Sequence, residues 1–368
     1  MLISHPIRLA LLFGGRSSEY EVSLRSAATV IRGLRSPQYR LVFIGITREG
    51  QWKLFEGDPA SIPEDTWDLP QQTAPVAFFP ARPEGSLWVE RSSGWEPLEV
   101  DAAFPVLHGR NGEDGTVQGL FSLCRIPCVG CGTAASAACM DKALTHRVLD
   151  GAGIPNAPWE IVYREETADF PLLEQRLAGR LGYPMFVKPA NAGSSVGVTK
   201  AVDRETLRKG LELALSHDRK AVIEAAIVGK EVECAVLGNR QLTVSMPGEI
   251  RSAHEVYDYE AKYADIGSET LIPARIPAAS LERIRELAAK AYQALLCDGM
   301  ARVDFFVLED GSVVLNEVNT LPGFTSISMY PMLMEAAGIP LDQLCHRLVS
   351  LALEEAEQNG IPDSRPLA

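Results

Sequence analysis

The sequence predicts a mixed α/β and α+β protein built in three units, and three observations carry that prediction. A β-α-β pattern opens the chain, a small-residue loop joins two strands near residue 190, and an acidic hairpin turns near residue 310. At 368 residues the chain is long enough for two or three domains of roughly 100 to 200 residues each.

"IRLALLF" (7–13) and "YRLVFIGI" (39–46) read as buried strands flanking the helical segment "EVSLRSAATVIRGL". Such a unit is expected to be parallel and right-handed. From Gln51 to Pro97 the chain is rich in Pro, Trp and Gly and shows little period, which reads as an irregular or hairpin elaboration. "VDAAFPVLHG" is a further buried strand ending at His108, followed by the polar loop "RNGEDGT" and the helix "VQGLFSLC". A first unit therefore spans 1–135, as a small open α/β sheet.

The second unit, 136–228, contains the helix "KALTHRVLDGAGIP", stopped by Gly and Pro, and the helix "AVDRETLRKGLELAL". Its strands include "YPMFV", which runs to Lys188, "VGVTKAV" and "AVIEAAIV". The third unit, 229–368, holds the strand "EVECAVLG", the long helix "RIRELAAKAYQALL", strands at 302–308 and 313–319, and two helices from Ile327 onward.

Composition excludes some functions. Hydrophobic content of 46% and charged content of 23% are ordinary for a globular protein, and no stretch approaches the ~18 apolar residues of a membrane span. The run Leu9 to Phe13 is too short for the apolar core of a signal peptide. A formal charge of −13 argues against a nucleic-acid partner and against an anionic membrane surface. Any polyanion must be bound locally, by a few placed lysines, amide dipoles and metal ions. Seven cysteines scattered through apolar segments fit a reducing cytoplasm. "CVGC" (128–131) has no second pair and no suitably spaced histidine, so packed thiols are expected there rather than a zinc or redox centre.

The loop "KPANAGSSVGVTK" (188–200) is the first chemical signal. Consecutive N–H groups in a Gly/Ser loop form an anion nest, and Gly193 admits close backbone approach. The loop is distinct from the G-x-x-x-x-G-K-[ST] phosphate loop, because its lysine precedes the glycine and comes from a strand. An ordinary turn remains the alternative. Lys142 in "CMDKALT" is a second phosphate partner or a surface lysine, and Glu224 and Glu231 bracket "AAIVGK" as ribose ligands or exposed turn carboxylates.

In "ARVDFFVLEDGSVVLNEVN", Asp310-Gly311 signals a type I′ hairpin. That register sets Asp304 opposite Glu317 and Arg302 opposite Asn319, with Val303, Phe305 and Val307 on the other face. Facing carboxylates repel unless a cation lies between them. Asp, Glu and Asn oxygens beside an arginine suit Mg²⁺ holding substrate phosphates; a solvated sheet face is the alternative. Glu21 stays open between two roles. Ser18-x-x-Glu21 is a capping box worth about 1 kcal/mol, yet the position lies just beyond the first strand of an open sheet, where ligands bind.

Taken together, "LLFGGRSSEYEVSLRSA", "LHGRNGEDGTVQGLF", "MDKALTHRVL", "FVKPANAGSSVGVTK", "YDYEAKY" and "NEVNTLPGFTSISMYP" resemble the D-alanine–D-alanine ligases of the ATP-grasp superfamily, in order from about residue 8 to 350. The resemblance implies an ATP-grasp fold whose central and C-terminal units clamp ATP, and a two-step reaction through a D-alanyl phosphate. It implies that the 190–197 loop covers the phosphates with Ser195, Lys142 and Lys188. Asp304, Glu317 and Asn319 would hold two Mg²⁺ ions, with Mn²⁺ a substitute. Adenine would lie against Phe186, Ile227 and Phe306 with amide contacts near Ala226 and Ile227, Glu224 at the adenine amine and Glu231 at the ribose. Lys262 would neutralise phosphate charge, and Arg302 with the Gly323 amide would bind the oxyanion. Glu21 would fix the first ammonium near His108; Ser328 and the following Met329 backbone would hold the second carboxylate. Glu21, Ser194 and Tyr263 would form a triad closing the lid, and ester-forming relatives tend to differ at Tyr263. A homodimer through the N-terminal unit is also implied. Another ATP-grasp carboxylate–amine ligase, a D-alanine–D-lactate ligase and a non-catalytic nucleotide sensor are the competing readings.

Overall fold

The computed structural model describes residues 6–80, 85–251 and 269–358. β1 (Ile7–Gly14) and β2 (Tyr39–Ile46) pair in parallel around α1 (Tyr20–Gly33), as the apolar pattern requires. On its other side β1 pairs, again in parallel, with β7 (Ala102–Pro105). Chain order therefore reverses at β1, and the carboxyl ends of β1 and β7 open a crevice of the kind that takes ligands. Both expected site loops, after Gly14 and after Pro105, leave from that edge.

In the aperiodic stretch 51–97 the described residues take the hairpin form of the two expected. β3 (Trp52–Phe55), β4 (Thr73–Phe78), β5 (Leu87–Arg91) and β6 (Gly94–Pro97) extend the first sheet antiparallel, in the order β6-β5-β4-β3-β2-β1-β7. Between β3 and β4, the fully buried Trp67 packs edge-on to Phe13 and gives its indole N–H to Tyr20 Oη at 3.1 Å. The segment thereby fixes the first residue of α1. The Ser18–Glu21 capping box does not form: α1 is preceded by Glu19, without a side-chain cap bond.

α2 (Thr116–Leu123), α3 (Thr133–Met140) and α4 (Lys142–Gly151) lead to a second sheet of order β10-β9-β11-β8. Its strands are β8 (Trp159–Tyr163), β9 (Met185–Pro189), β10 (Thr199–Ala201) and β11 (Lys220–Ala225), all antiparallel. α5 (Phe170–Leu181) and α6 (Arg204–His217) cover one face through Leu173, Leu177, Leu207 and Leu211.

The third sheet runs β15-β14-β12-β16-β17, with β13 (Thr243–Val244) also on β12. Its other strands are β12 (Lys230–Leu237), β14 (Gly248–Arg251), β15 (Glu269–Leu271), β16 (Met300–Val307) and β17 (Val313–Asn319). α7 (Ala278–Ala294) packs Ile284, Leu287 and Ala291 against Val303, Phe305 and Val307, the apolar face the alternation predicts. The last helices, α8 (Met329–Ala336) and α9 (Leu341–Gln358), turn back to the first sheet. Leu344, Cys345 and Leu348 share one core with Leu24, Ala27 and Val30 of α1.

The seven cysteines are free thiols, and Cys131 of the "CVGC" pair directs its Sγ to the Asp298 carbonyl at 3.2 Å. Among the described residues no helix is long and apolar enough to cross a membrane.

Candidate active site

The second and third sheets enclose a cavity of about 390 Å³ lined by Lys142, Phe186, Lys188, residues 192–195, Glu224, Ile227, Glu231, Glu233, Asp304, Phe306 and Glu317. The loop between β9 and β10 forms one wall. Ser194 and Ser195 hold left-handed φ values of 49° and 59°, and Gly197 one of 72°. Two turns fix the loop, Val196 N–H to Gly193 O at 3.1 Å and Val198 N–H to Ser195 O at 3.2 Å. Non-glycine residues held left-handed mark a built loop rather than a slack connection. Lys142, first residue of α4, donates to Ala192 O at 2.7 Å, and Asp141 caps that helix by accepting from Ala143 and Leu144 N–H. Lys142 is therefore not a surface lysine.

The opposite wall is acidic. Strand register puts Glu233 of β12 opposite Asp304 of β16, and Asp304 opposite Glu317 of β17, so three carboxylates stand in a row across three strands. Arg302 binds both Asp304 oxygens, Nε to Oδ1 at 2.8 Å and Nη2 to Oδ2 at 2.7 Å, and lies 2.9 Å from Glu233. Asn319 Nδ2 donates to Asp304 Oδ2 at 3.0 Å. Three carboxylates around one guanidinium leave surplus negative charge in a site where Asp304 and Glu233 are buried. All donors are hard oxygens, which fits a divalent cation of the Mg²⁺ class.

The hairpin reaches this register by a different route from a type I′ turn. Leu308 N–H bonds Ser312 O and Gly311 N–H bonds Leu308 O, with Gly311 at φ 81°. That is a three-residue loop with a left-handed glycine, which moves the pairing one residue from the expected register. A bulge between Asp304 and Phe305, opposite Asn316, moves it back. The two shifts cancel at Asp304 and Glu317.

At the far end, Glu224 is 6% exposed and bonded through Oε2 to Lys188 Nζ at 2.6 Å and through Oε1 to His146 Nε2 at 3.1 Å. Burial opposes its ionised form, yet Lys188 and then His146 hold the carboxyl down at about 2. Phe186, Ile227 and Phe306 line the slot beside it. Ala226 N–H is already engaged with Pro184 O at 3.1 Å.

Where the first sheet meets the loop, the structure corrects the acidic residue. Glu21 points away: its side chain is 47% exposed and pairs with Arg48 at 2.7 Å. Arg48 also bonds Asp65 and covers the Tyr20 ring. Glu19, two residues earlier, is 5% exposed. A Cβ on Gly193 would meet Glu19 Oε2 at 3.2 Å, and one on Gly109 would meet it at 2.7 Å. Glu19 thus joins the β1 loop, the β7 loop and the Gly/Ser loop. Tyr20, the first residue of α1, is held in the core, and the preceding Glu19 lies against the Gly/Ser loop.

His108 is buried and bracketed rather than open to the cleft. Its Nδ1 faces Leu321 O at 3.1 Å, while Ser26 Oγ lies 3.2 Å from Nε2 and accepts from Phe324 N–H. Burial lowers its pKa. It therefore braces the 321–324 turn. In that turn Gly323 faces Ser328, whose hydroxyl a Cβ would meet at 2.8 Å. Ser328 precedes α8 and accepts from Thr325 N–H, and no side-chain cap bond engages the start of that helix. The Met329 side chain is core, so only its backbone can serve a ligand.

Glu113 accepts from Gly109 N–H at 2.6 Å. Burial, and next the nearby Glu19 charge, push its carboxyl up to about 8. The folded state then holds a proton that the unfolded chain has lost. This group's contribution to stability is therefore present below about pH 4.5 and is lost as pH rises towards 8. Glu113→Gln is expected to gain thermal stability relative to the parent as pH rises from 5 to 8. Parallel Tm–pH profiles would contradict this.

Lys262 and Tyr263 lie outside the described residues. Glu19, Glu113, Glu233 and His146 are site residues that sequence reasoning missed. Alternation along β12 put Glu231 and Glu233 on one face and was the available signal for Glu233, whereas nothing local marked His146.

Two antiparallel sheets closing on one cavity, one bearing a Gly/Ser loop with lysines and the other a row of carboxylates, define an ATP-grasp enzyme. Family models described as D-ala D-ala ligase N-terminus and D-ala D-ala ligase C-terminus match residues 8–131 and 148–350. The chain belongs to the D-alanine–D-alanine ligase family. It is 47% identical over 354 residues to the D-alanine–D-alanine ligase of Caldicellulosiruptor bescii, covering 96% of each chain. It is 44% identical over 365 residues to that of Acetivibrio thermocellus, covering 96% of this chain and 97% of the other. Among solved structures, the VanG D-Ala:D-Ser ligase from Enterococcus faecalis superposes with a TM-score of 0.86 at 40% identity, over 95% of this chain and 100% of the other. The D-alanine–D-alanine ligase from Coxiella burnetii superposes with a TM-score of 0.86 at 32% identity, over 97% and 96%.

Proposed function

We propose that this chain joins two D-alanines into D-alanyl-D-alanine with conversion of ATP to ADP and phosphate, supplying a peptidoglycan precursor. The observation that carries the reading is the carboxylate row Glu233–Asp304–Glu317 facing the Ser194–Ser195 loop across one cavity, with Glu19 at its edge.

A carboxylate oxygen of the first D-alanine attacks the γ-phosphorus as the bond to the bridging oxygen of ADP breaks. Lys142, Lys188 and the loop amides orient the phosphates, which is most of what phosphoryl transfer asks of a protein. Asp304, Glu317 and Asn319 would hold Mg²⁺, or Mn²⁺ in its place; when bound it supplies charge neutralisation at the phosphates. Glu19 holds the first ammonium, the role expected of Glu21. The deprotonated amine of the second D-alanine then attacks the acyl carbon. Arg302 and the Gly323 amide receive the oxyanion, and the C–O bond to phosphate breaks. Ser328 and the amides at the start of α8 receive the second carboxylate. Adenine lies against Phe186, Ile227 and Phe306, with the Ile227 amide as its backbone partner, Glu224 at its amine and Glu231 at the ribose. The free thiols support a reducing cytoplasmic setting. A homodimer is proposed from the family resemblance and is read directly by light scattering.

The similarity to a D-Ala:D-Ser ligase makes D-serine the acceptor to exclude. Product masses with D-alanine, D-serine and D-lactate in competition test the acceptor. Mainly D-alanyl-D-alanine is expected at pH 7 to 9. A predominance of the serine dipeptide or the lactate ester would reassign the second site.

A further inference from the structure

We propose that His146 is a positioning residue for nucleobase selection: it aims the Glu224 carboxylate at the exocyclic amine of the purine and so sets the preference for ATP over nucleotides lacking that amine. The proposal rests on the reading of Glu224 as the amine acceptor.

His146 sits one helical turn after Lys142 on the same face of α4, so one helix serves both ends of the nucleotide. Its ring is almost entirely buried and stacks on the Trp159 indole, with centroids 5.0 Å apart and planes inclined by 12°. Both ring nitrogens face acceptors: Nδ1 is 2.8 Å from Asn156 Oδ1, and Nε2 is 3.1 Å from Glu224 Oε1. The orientation of the Asn156 amide is fixed, because its nitrogen donates to Asp150 Oδ1 at 2.8 Å and to Ile154 O at 3.0 Å. Asp150 also accepts from Trp159 Nε1 at 3.0 Å through its other oxygen. His146, Asn156, Asp150 and Trp159 therefore form a closed ring of contacts that leaves the imidazole little freedom.

The consequence falls on Glu224. Lys188 alone would leave the carboxylate free to rotate about one ion pair. With Oε1 tied to His146 and Oε2 to Lys188, the plane of this cavity-lining carboxylate is set from two sides. A fixed carboxylate accepts from a purine amine and repels a carbonyl oxygen at the same place. A swinging one discriminates poorly.

The test is steady-state kinetics of His146→Ala and His146→Gln with ATP, GTP and purine riboside triphosphate, which lacks the amine. His146→Gln keeps a donor of similar reach and guards against misfolding of the alanine variant, which circular dichroism would report. For His146→Ala, KM for ATP is expected to rise about tenfold or more, as for loss of a hydrogen bond to a charged group. The preference for ATP over the amine-less nucleotide should fall by a similar factor, with KM for D-alanine unchanged within about twofold. His146→Gln should recover part of the preference. A merely structural role would move kcat or Tm and leave the nucleotide ratio alone. If a folded variant keeps the parent's ratio, the positioning role is overturned while the Glu224 reading stands. If the parent itself does not prefer ATP over the amine-less nucleotide, the Glu224 reading fails, and the proposal with it.

Discussion

Glu317→Gln is expected to reduce turnover with ATP and D-alanine on the order of 10²- to 10³-fold while leaving the fold intact. The side chain keeps its shape, so packing around β17 is undisturbed. What changes is the charge in a row of three carboxylates, where Glu317 stands opposite Asp304. A neutral amide oxygen is a weaker ligand than a carboxylate for a hard divalent cation, so the charge that would neutralise the phosphates is held less tightly. Removing one of three like charges also relieves repulsion across the strands. In the absence of divalent cation the variant should therefore be as heat-stable as the parent, or more so. Lost activity with unchanged or raised Tm is the expected pair of results. Normal turnover with unchanged magnesium dependence would remove Glu317 from the metal site.

The second large effect separates two neighbouring glutamates. Glu19→Gln is expected to lower kcat/KM for D-alanine about 100-fold, the scale for removing one partner of a buried charge contact. Glu21→Gln loses only a half-exposed pair with Arg48, of the kind worth about 0 to 1 kcal/mol, and should stay within about twofold of the parent. Assays of both variants over a range of D-alanine concentrations decide it. A severe loss in Glu21→Gln with a mild one in Glu19→Gln would restore the capping-box residue to the site.

This pair shows where sequence reasoning stops. The pattern "SSEYE" offers two carboxylates beside one helix start; the capping-box spacing and the strand end left Glu21 open between two roles, and the family resemblance put it on the ammonium. Which one enters the cleft depends on Tyr20, and Tyr20 is fixed by Trp67 and Asp65, more than forty residues away in a stretch without period. No local rule reaches that contact. The facing of Asp304 and Glu317 was legible because period two acts within one short segment. Even there the loop and bulge offsets, each invisible to alternation, cancelled at Asp304 and Glu317. The gathering of Lys142, Lys188 and the Gly/Ser loop on one cavity was legible as a candidate anion site, because small residues beside strand-end lysines suit an anion nest. His146 was not, because a lone histidine on a helix signals nothing until its stacking partner Trp159 and its acceptor Glu224 arrive from other strands. The return of α9 to the first sheet is likewise long-range, a shared apolar face with no mark in either segment.

ATP cleavage and the joining of two D-alanines are coupled in this enzyme family, to which the chain belongs. Phosphate release by the purified protein with MgATP, in the presence of D-alanine, L-alanine or no amino acid, tests that coupling most directly when the product is weighed alongside. Release that requires D-alanine and matches D-alanyl-D-alanine one for one is expected. Release indifferent to the amino acid, or dependent on D-alanine without dipeptide, would contradict it.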